Sequence, residues 1–524
     1  MLYIRTEFVF GLLTLLLICS WWLYQNLWLF PSRHDHGTER GCGRIRMLPS
    51  SWILPLGLDK WLRSHQVEQE GKLPVLSLKD HEQYGNTYGQ YAGTLFTIIT
   101  RDPRNIASIL SNQFSNFDYG NLRQVCFGIL LGDGIFTENG EEWKRSRRLL
   151  ASKLCESQFP ALHILEPHFQ DILRSIFSQL NTSVTVDCRP LLYKYTLDIA
   201  TDLFMGVSTN LLSPPSEMNN EGKRFFSAFN DALLVLTTRE RWKRFAFLAF
   251  FTQPPRRWWS CITARDSLLN LIRGAQKQEL GSNYQPFAEF LGRTTDIEKA
   301  RDELMSLLFA GRDTNASLLC WLLYILAQKP AVFRKLESEV FSVVGTDLNV
   351  TPTNAHLADM IYLDNVVHET LRLFPAVTIN GRVCKKTTTL PFGGGSSGEL
   401  PILVPQGALV CFSTYACHLS TEYYGEDAAE FRPERWREID VKTRTRNFTF
   451  HPFLGGPRKC LGESFALRLA KYTTCRLVQS FSTITMGKSS SQDESHWQTR
   501  VKYQTGLTMS PDDSDGIVVM LEPR

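Results

Sequence analysis

Two long apolar stretches frame the chain. Over residues 8–30 the run FVFGLLTLLLICSWWLYQNLWLF extends for 23 residues without a formal charge, which matches the roughly 20 residues that a bilayer-spanning helix needs. It exceeds the roughly 7–15 residues of a signal-peptide core, and no small-x-small cleavage site closes it. The pattern predicts a membrane anchor over residues 1–30, with Trp21, Trp22 and Trp28 suited to an interfacial aromatic belt. Arg5 and Glu7 precede the span, whereas Arg33, Arg40, Arg44 and Arg46 follow it, so the positive-inside tendency places the downstream chain in the cytosol. The second stretch, 298–328, is apolar nearly all round in its middle, as in a helix that runs through a protein core.

Between these stretches the punctuation changes. Pro31, Pro49 and Pro55, with Gly41 and Gly43, predict a stiff, non-helical linker over 31–55. From residue 56 to 524 the hydrophobic periodicity is nearly continuous and no internal repeat breaks it, which predicts one large domain. Helical spacing recurs at 141–154, 160–180 and 191–204, while 376–412 alternates and carries turn signals. The GGGSSG run at 393–398 lies between strand-like segments with no helix after it, so it reads as a hairpin turn and not as a dinucleotide loop. The expected class is therefore mainly α with small β-sheets (α+β).

Composition narrows the function. Among 524 residues, 57 Lys and Arg face 53 Asp and Glu, and a net charge of +4 excludes binding driven by nucleic-acid electrostatics. With 43% hydrophobic and 12% aromatic residues the chain has ample apolar surface for a core, which excludes disorder. The 12 cysteines are scattered without a CxxC pair, against a zinc ribbon or disulfide scaffold and in keeping with a reducing compartment. In that compartment the sequons at Asn181, Asn315, Asn349 and Asn447 are chance matches.

The most informative segment runs from Phe453 through Leu454, Gly455, Gly456, Pro457, Arg458, Lys459, Cys460 and Leu461 to Gly462, and a helix-like run follows. A cysteine just ahead of a helix gains from the helix dipole and free backbone N–H groups, which lower its pKa and favour a ligand or a nucleophile. Glycines let the backbone approach a flat group, an arginine can meet an acid, and the aromatic can pack on the sulfur. This segment resembles the heme-binding loop of the cytochrome P450 superfamily, F-x-x-G-x-R-x-C-x-G, at every specified position. The resemblance implies heme b with Cys460 as the axial thiolate of its iron, Phe453 shielding the sulfur and Arg458 pairing with a propionate.

Further segments extend the resemblance in family order along the chain. Glu369 and Arg372 stand three apart on one helix face, and Phe431-Arg432-Pro433-Glu434-Arg435-Trp436 follows; these resemble the family's E-x-x-R helix and P-E-R segment and imply a buried Glu369–Arg372–Arg435 network. Ala310-Gly311-Arg312-Asp313-Thr314 would, in other company, be a salt bridge and a back-bonded threonine. Here it resembles the distal motif [AG]-G-x-[DE]-T, implying that Gly311 leaves room and lets the helix distort while Asp313 and Thr314 relay protons to dioxygen. Asn315 stands where many relatives carry a second threonine. Trp143 to Arg147 resembles the W-x-x-x-R helix, which with Arg382 after Asn380-Gly381 implies further propionate partners.

What the resemblance implies is a membrane-anchored heme-thiolate monooxygenase, single-pass in the endoplasmic reticulum membrane with a cytosolic catalytic domain. It would use O2 and electrons from NADPH through a separate NADPH-cytochrome P450 reductase, since the 62 residues beyond Gly462 leave no room for a flavin domain. Lys144, Arg145, Arg148 and Lys459 offer a basic face for that reductase, or simply a solvated surface. The AGRDT run and the 387–410 segment look most like fungal alkane and fatty-acid hydroxylases, so a long-chain aliphatic compound or a secondary-metabolite intermediate is the expected substrate. Two rival readings are a heme-thiolate isomerase or dehydratase acting on an oxidised lipid, and a non-catalytic heme-binding membrane protein.

Overall fold

Apolar residues spaced three and four apart fold as helices and alternating ones as strands, and the protein is mostly helical with small sheets. The computed structural model describes residues 41–49, 58–92, 95–154, 162–214, 219–277, 296–487, 502–512 and 517–524, with Thr14, Leu16, Cys19 and Ser20. The rest of the expected anchor, and residues 31–40 and 50–55 of the expected linker, lie outside the described residues. Among the described residues no single helix is long and apolar enough to cross a membrane. The chain divides into two compact units, 1–118 with 379–417, and 119–378 with 418–524.

The first unit is built on a five-stranded sheet in the order Thr87–Ala92, Leu95–Thr100, Leu409–Ser413, Ile379–Cys384, Phe117–Asp118. Leu95–Thr100 pairs antiparallel with Thr87–Ala92 and parallel with Leu409–Ser413, and all six of its residues are buried, as a strand with covered faces requires. Strands Thr388–Gly394 and Leu400–Val404 form the expected hairpin. Its turn needs glycine because Gly395 and Gly398 sit at φ of 76° and 78°. Residues 41–49 run extended beside both hairpins, bridging Ile45 to Gly394 and Met47 to Gly89. The approach is so close that a Cβ on Gly43 would stand 2.4 Å from the Gly395 amide nitrogen.

The second unit centres on the helix Ile297–Gln328. Asp296 caps it by accepting the amides of Glu298 and Lys299, and it ends where Pro330 starts the next helix. Helices Cys188–Met205, Pro255–Lys277, Ile361–Leu373 and Glu463–Ser480 pack on it. The helix is continuous through Gly311, and a Cβ there would meet only Phe204 and Ala200 at ordinary contact distances of 3.6 and 3.9 Å. Farther along, Ser317 Oγ and Trp321 Nε1 both donate to the Met509 carbonyl, tying the hairpin of Tyr503–Thr505 and Met509–Pro511 to the helix.

Beside this helix lies a fully buried ion network. Glu369 Oε1 accepts from Arg372 Nη2 (2.8 Å), the Arg432 amide (2.9 Å) and Arg435 Nε (3.4 Å), while Oε2 accepts from Arg372 Nε (2.9 Å) and Trp436 Nε1 (3.0 Å). The remaining Arg372 donors reach the carbonyls of His418, Ala428 and Glu430, so none of its five N–H groups is wasted. Arg435 also binds Tyr424 O and both the side chain and carbonyl of Asp427. Glu369 and Arg372 are 0% exposed and Arg435 1%, so the charges survive burial because each is paired and hydrogen-bonded.

His418 carries this network onward. Its Nε2 accepts the His451 amide (2.9 Å) while Nδ1 donates to the Arg372 carbonyl (3.2 Å), which requires the neutral ring protonated at Nδ1. Burial, with His451 and Arg372 beside it, holds His418 well below its ordinary 6.5, and burial takes His451 down to about 4.

Two outcomes are expected. Arg435→Ala strands part of the Glu369 charge and should lower stability by about 3–5 kcal/mol, read as a lower urea midpoint; an unchanged midpoint would show that Glu369 does not need it. The depressed histidines also set a pH slope: below 6.5 the unfolded chain binds protons that the folded His451 refuses until about 4, so stability is complete above that window and falls as pH drops through it. His418→Gln, which keeps an amide donor and acceptor, should flatten the slope in denaturation midpoints measured across the window.

Candidate active site

The loop between the short helix Val441–Arg446 and the helix Glu463–Ser480 is shaped by backbone constraints. Leu454 and Gly456 both adopt positive φ, 61° and 65°, and a Cβ on Gly455 would stand 2.4 Å from the Phe448 ring. The Leu454 amide bonds the His451 carbonyl at 3.0 Å, so the loop starts from the residue that His418 holds. It closes where the Cys460 amide donates to the Phe453 carbonyl at 3.0 Å. Cys460 thus sits at the loop's end, three residues before Glu463, with the Gly462 amide donating toward its sulfur.

The electrostatics of the thiol differ from the sequence expectation. Burial pushes Cys460 up, and this outweighs the Gly462 N–H and the Arg147 and Lys459 cations that pull it down. The helix end alone therefore does not make a thiolate; a metal cation would, because a coordinating thiol is deprotonated outright. Cys460 is nevertheless exposed. Burial and openness agree if the sulfur faces a hollow enclosed by protein. A Cβ on Gly462 would stand 3.8 Å from that sulfur, so the glycine keeps its flank clear for a flat group.

Three guanidinium groups interleave with two aromatic rings at this site. Arg458 lies over Trp143 at 4.1 Å and over Tyr119 at 4.6 Å, Arg123 covers Tyr119 at 3.9 Å, and Arg147 stands 5.9 Å from Trp143. Arg458 Nη2 also donates to the Glu138 carbonyl (3.1 Å) and to Asn139 Oδ1 (3.4 Å). Stacking on the rings orients these guanidinium groups, whose planar donors match the carboxylates of a ligand. With the open sulfur, the donor set fits a heme. The structure therefore brings Trp143, Arg147, Arg458, Phe453 and Cys460 together. Sequence reading missed Tyr119 and Arg123, and the Asn139-Gly140 turn before helix Gly140–Leu154 was the one local signal for Asn139.

Asp313 and Thr314 form a second group, on the central helix, with no hydrogen bond to the first among the described residues. Phe309–Gly311, Asp313 and Thr314 are half-buried between fully buried turns. Thr314 Oγ1 donates to the Ala310 carbonyl at 2.6 Å and Asn315 Nδ2 to that of Gly311 at 2.6 Å. Asp313, raised by burial and pulled down by Arg312 and Arg189, stands 3.0 Å from Arg312 Nη1. Arg312 is itself buried among Tyr193, Phe226 and Phe229 at 5.0–5.6 Å and bonds Asn230. Arg382 belongs to the first unit, where Nη1 bonds Asn380 Oδ1 (3.0 Å) and the Gly381 carbonyl (2.8 Å).

Comparison with known proteins follows the same residues. The family model described as Cytochrome P450 matches residues 56–510. The chain is 36% identical to Cytochrome P450 52A3-B of Candida maltosa over 436 residues, 79% of this chain and 82% of the relative. It is 35% identical to Cytochrome P450 52A6 of Candida tropicalis, covering 89% of each. With Cytochrome P450 monooxygenase himC of Aspergillus japonicus it shares 33% identity over 97% of this chain and 88% of the relative.

Arg458→Leu keeps bulk between the two rings but removes the central cation of the stack. The expected result is an intact helical circular-dichroism spectrum with a reduced heme-to-protein ratio after gel filtration; full heme retention would separate Arg458 from cofactor binding.

Proposed function

The chain belongs to the cytochrome P450 family, whose enzymes bind heme iron through a cysteine thiolate, and we propose that it is a membrane-anchored monooxygenase of a hydrophobic substrate. The observation that carries this reading is the exposed Cys460 at the end of its loop, with the Gly462 amide at its sulfur and the Arg458 stack beside it. Cys460 would hold the heme iron through its sulfur in this proposal. Heme, when bound, supplies the activation of dioxygen. One oxygen atom enters a substrate C–H bond and the other leaves as water, with two electrons and two protons consumed.

The chain's own residues divide the work. Gly462 N–H tempers the charge on the Cys460 sulfur, and the Phe453 ring shields it. Trp143, Arg147 and Arg458 would hold the heme propionates; for Arg382 that role rests on the family resemblance alone. Thr314 and Asp313 manage protons: the hydroxyl must turn from the Ala310 carbonyl, and the carboxylate must leave Arg312, before either can serve the hollow. Half-buried Phe309, flanked by Phe136 at 5.5 Å and Phe127 at 6.1 Å, offers an apolar wall for a substrate. That wall supports a long-chain aliphatic compound or a lipid-like secondary-metabolite intermediate.

The proposed organisation is an anchor over 1–30, a linker over 31–55 and a catalytic domain over 56–524, held on the cytosolic side of the endoplasmic reticulum membrane. The family draws electrons from a redox partner, and here that partner is an NADPH-cytochrome P450 reductase. Exposed Lys144 and Arg145, in weak surface pairs with Glu141 and Glu142, remain able to meet an acidic partner.

Co-expression with a reductase and untargeted product analysis tests the reading. NADPH-dependent product is expected from the intact protein and none from Cys460→Ala, which should also lose the red-shifted carbon monoxide spectrum of a thiolate-ligated heme. Product without NADPH would instead favour an isomerase or dehydratase. Thr314→Ala should keep heme yet form less product per NADPH and release more peroxide, with Thr314→Ser recovering part of the coupling; unchanged coupling would remove Thr314 from the relay.

A further inference from the structure

Monooxygenation consumes two protons per dioxygen, and they must reach the interior from solvent. In this structure both expected relay side chains are engaged, Thr314 with a carbonyl and Asp313 with an arginine held among aromatic rings. Neither shows a path outward.

A stripe of the central helix offers one. Residues 303, 306, 310 and 314 recur at spacings of three and four and so share one face. Glu303 and Ser306 on that stripe are both 0% exposed. Glu303 Oε2 accepts the Ile135 amide at 3.1 Å, whereas Oε1 makes no hydrogen bond among the described residues and stands 3.4 Å from Lys299 Nζ. Ser306 Oγ makes none either. Both groups lie beneath the same turn, because Ile135 bonds Glu303 while a Cβ on the preceding Gly134 would stand 2.7 Å from Ser306 Oγ. A buried polar atom is satisfied by protein or by water, and a buried water needs two to four polar partners.

We propose that a water molecule is held between Glu303 Oε1 and Ser306 Oγ under the 132–137 turn, and that this acid, water and hydroxyl form the entry segment of the proton route to Thr314. The proposal rests on the monooxygenase reading for its demand for protons. Outward, the Ser146 hydroxyl stands beside Glu303 and donates to Glu138 Oε2 at 2.7 Å, and Glu138 pairs with Lys299, whose side chain is 32% exposed. Inward, Thr314 lies eight residues beyond Ser306, about 12 Å along the axis, past the half-buried band at Phe309–Gly311. Glu303 passes a proton to the water and the water to Ser306, whose own proton passes to further water along the half-buried Phe309–Gly311 band and so to Thr314; Glu303 regains one from solvent through Ser146, Glu138 and Lys299. Burial raises the Glu303 carboxyl, against Ser146, Lys299 and the Ile135 amide, which suits it to hold a proton.

A crystal structure of the heme-loaded protein is expected to show the water within hydrogen-bonding distance of both groups, and Ser306→Val, which fills the space, should expel it. A dry site in the wild type overturns the proposal. Under turnover with reductase, Glu303→Gln keeps the shape and the Ile135 contact but carries no proton, so product per NADPH should fall severalfold and the solvent isotope effect should rise, with heme content unchanged. Ser306→Ala should move both in the same direction. Wild-type coupling and isotope effect in both variants would equally overturn the route. Absence of any oxygenated product from the wild type would sink the monooxygenase reading instead, while the crystallographic result would still report on the water.

Discussion

The second unit depends on a carboxylate held by hydrogen bonds where no water reaches it. Glu369 is held by two guanidinium groups, an indole and a backbone amide, and Arg372 spends its remaining donors on three carbonyls from the 418–430 segment. Buried ion pairs of this kind stabilise little compared with well-packed apolar side chains, because desolvation offsets the attraction. Their value lies in geometry: misplacing any partner leaves a charge uncompensated. Segments far apart in sequence are thereby fixed to one helix, and through His418 the constraint reaches His451, from which the cysteine loop departs.

Charge is balanced differently at the cysteine. Burial disfavours its thiolate, and the opposing groups are one amide and two cations that do not overcome it. The loop therefore leaves the Cys460 thiol shifted upward, the opposite direction from that expected of a helix end. Stacking on Trp143 and Tyr119 orients the Arg458 guanidinium between the two rings.

The central helix meets two opposed demands. It must be apolar enough to run through the core, yet it carries Asp302, Glu303, Ser306, Arg312, Asp313, Thr314 and Asn315. The structure resolves the conflict locally: Asp302 pairs with Arg265 and takes the Asp133 amide, Glu303 takes the Ile135 amide, and Arg312 is enclosed by aromatic rings. Glycines at 132 and 134 make this possible, since a Cβ on Gly132 would overlap the Asp302 carboxylate. The polar residues therefore serve to seat the neighbouring turn while leaving Ser306 and Glu303 with unfilled hydrogen-bonding capacity.

Local periodicity and motif spacing determined much of this from sequence alone. The helices near 141–154, 160–180, 191–204 and 298–328, the hairpin at GGGSSG, the Glu369–Arg372–Arg435 network and the loop from Phe453 to Gly462 are legible because each rests on spacings of a few residues or on turn chemistry. Tertiary structure alone decided the stacking of Tyr119 and Arg123 with Arg458, the use of His418 as a neutral bridge, the capture of Asp313 by a caged Arg312 and the placement of Ser306 beneath Gly134. It also decided the direction of the Cys460 shift, because a helix end acts through neighbouring residues whereas burial sums over the whole fold. Sequence spacing fixes which side chains share a face, and only packing fixes what that face meets.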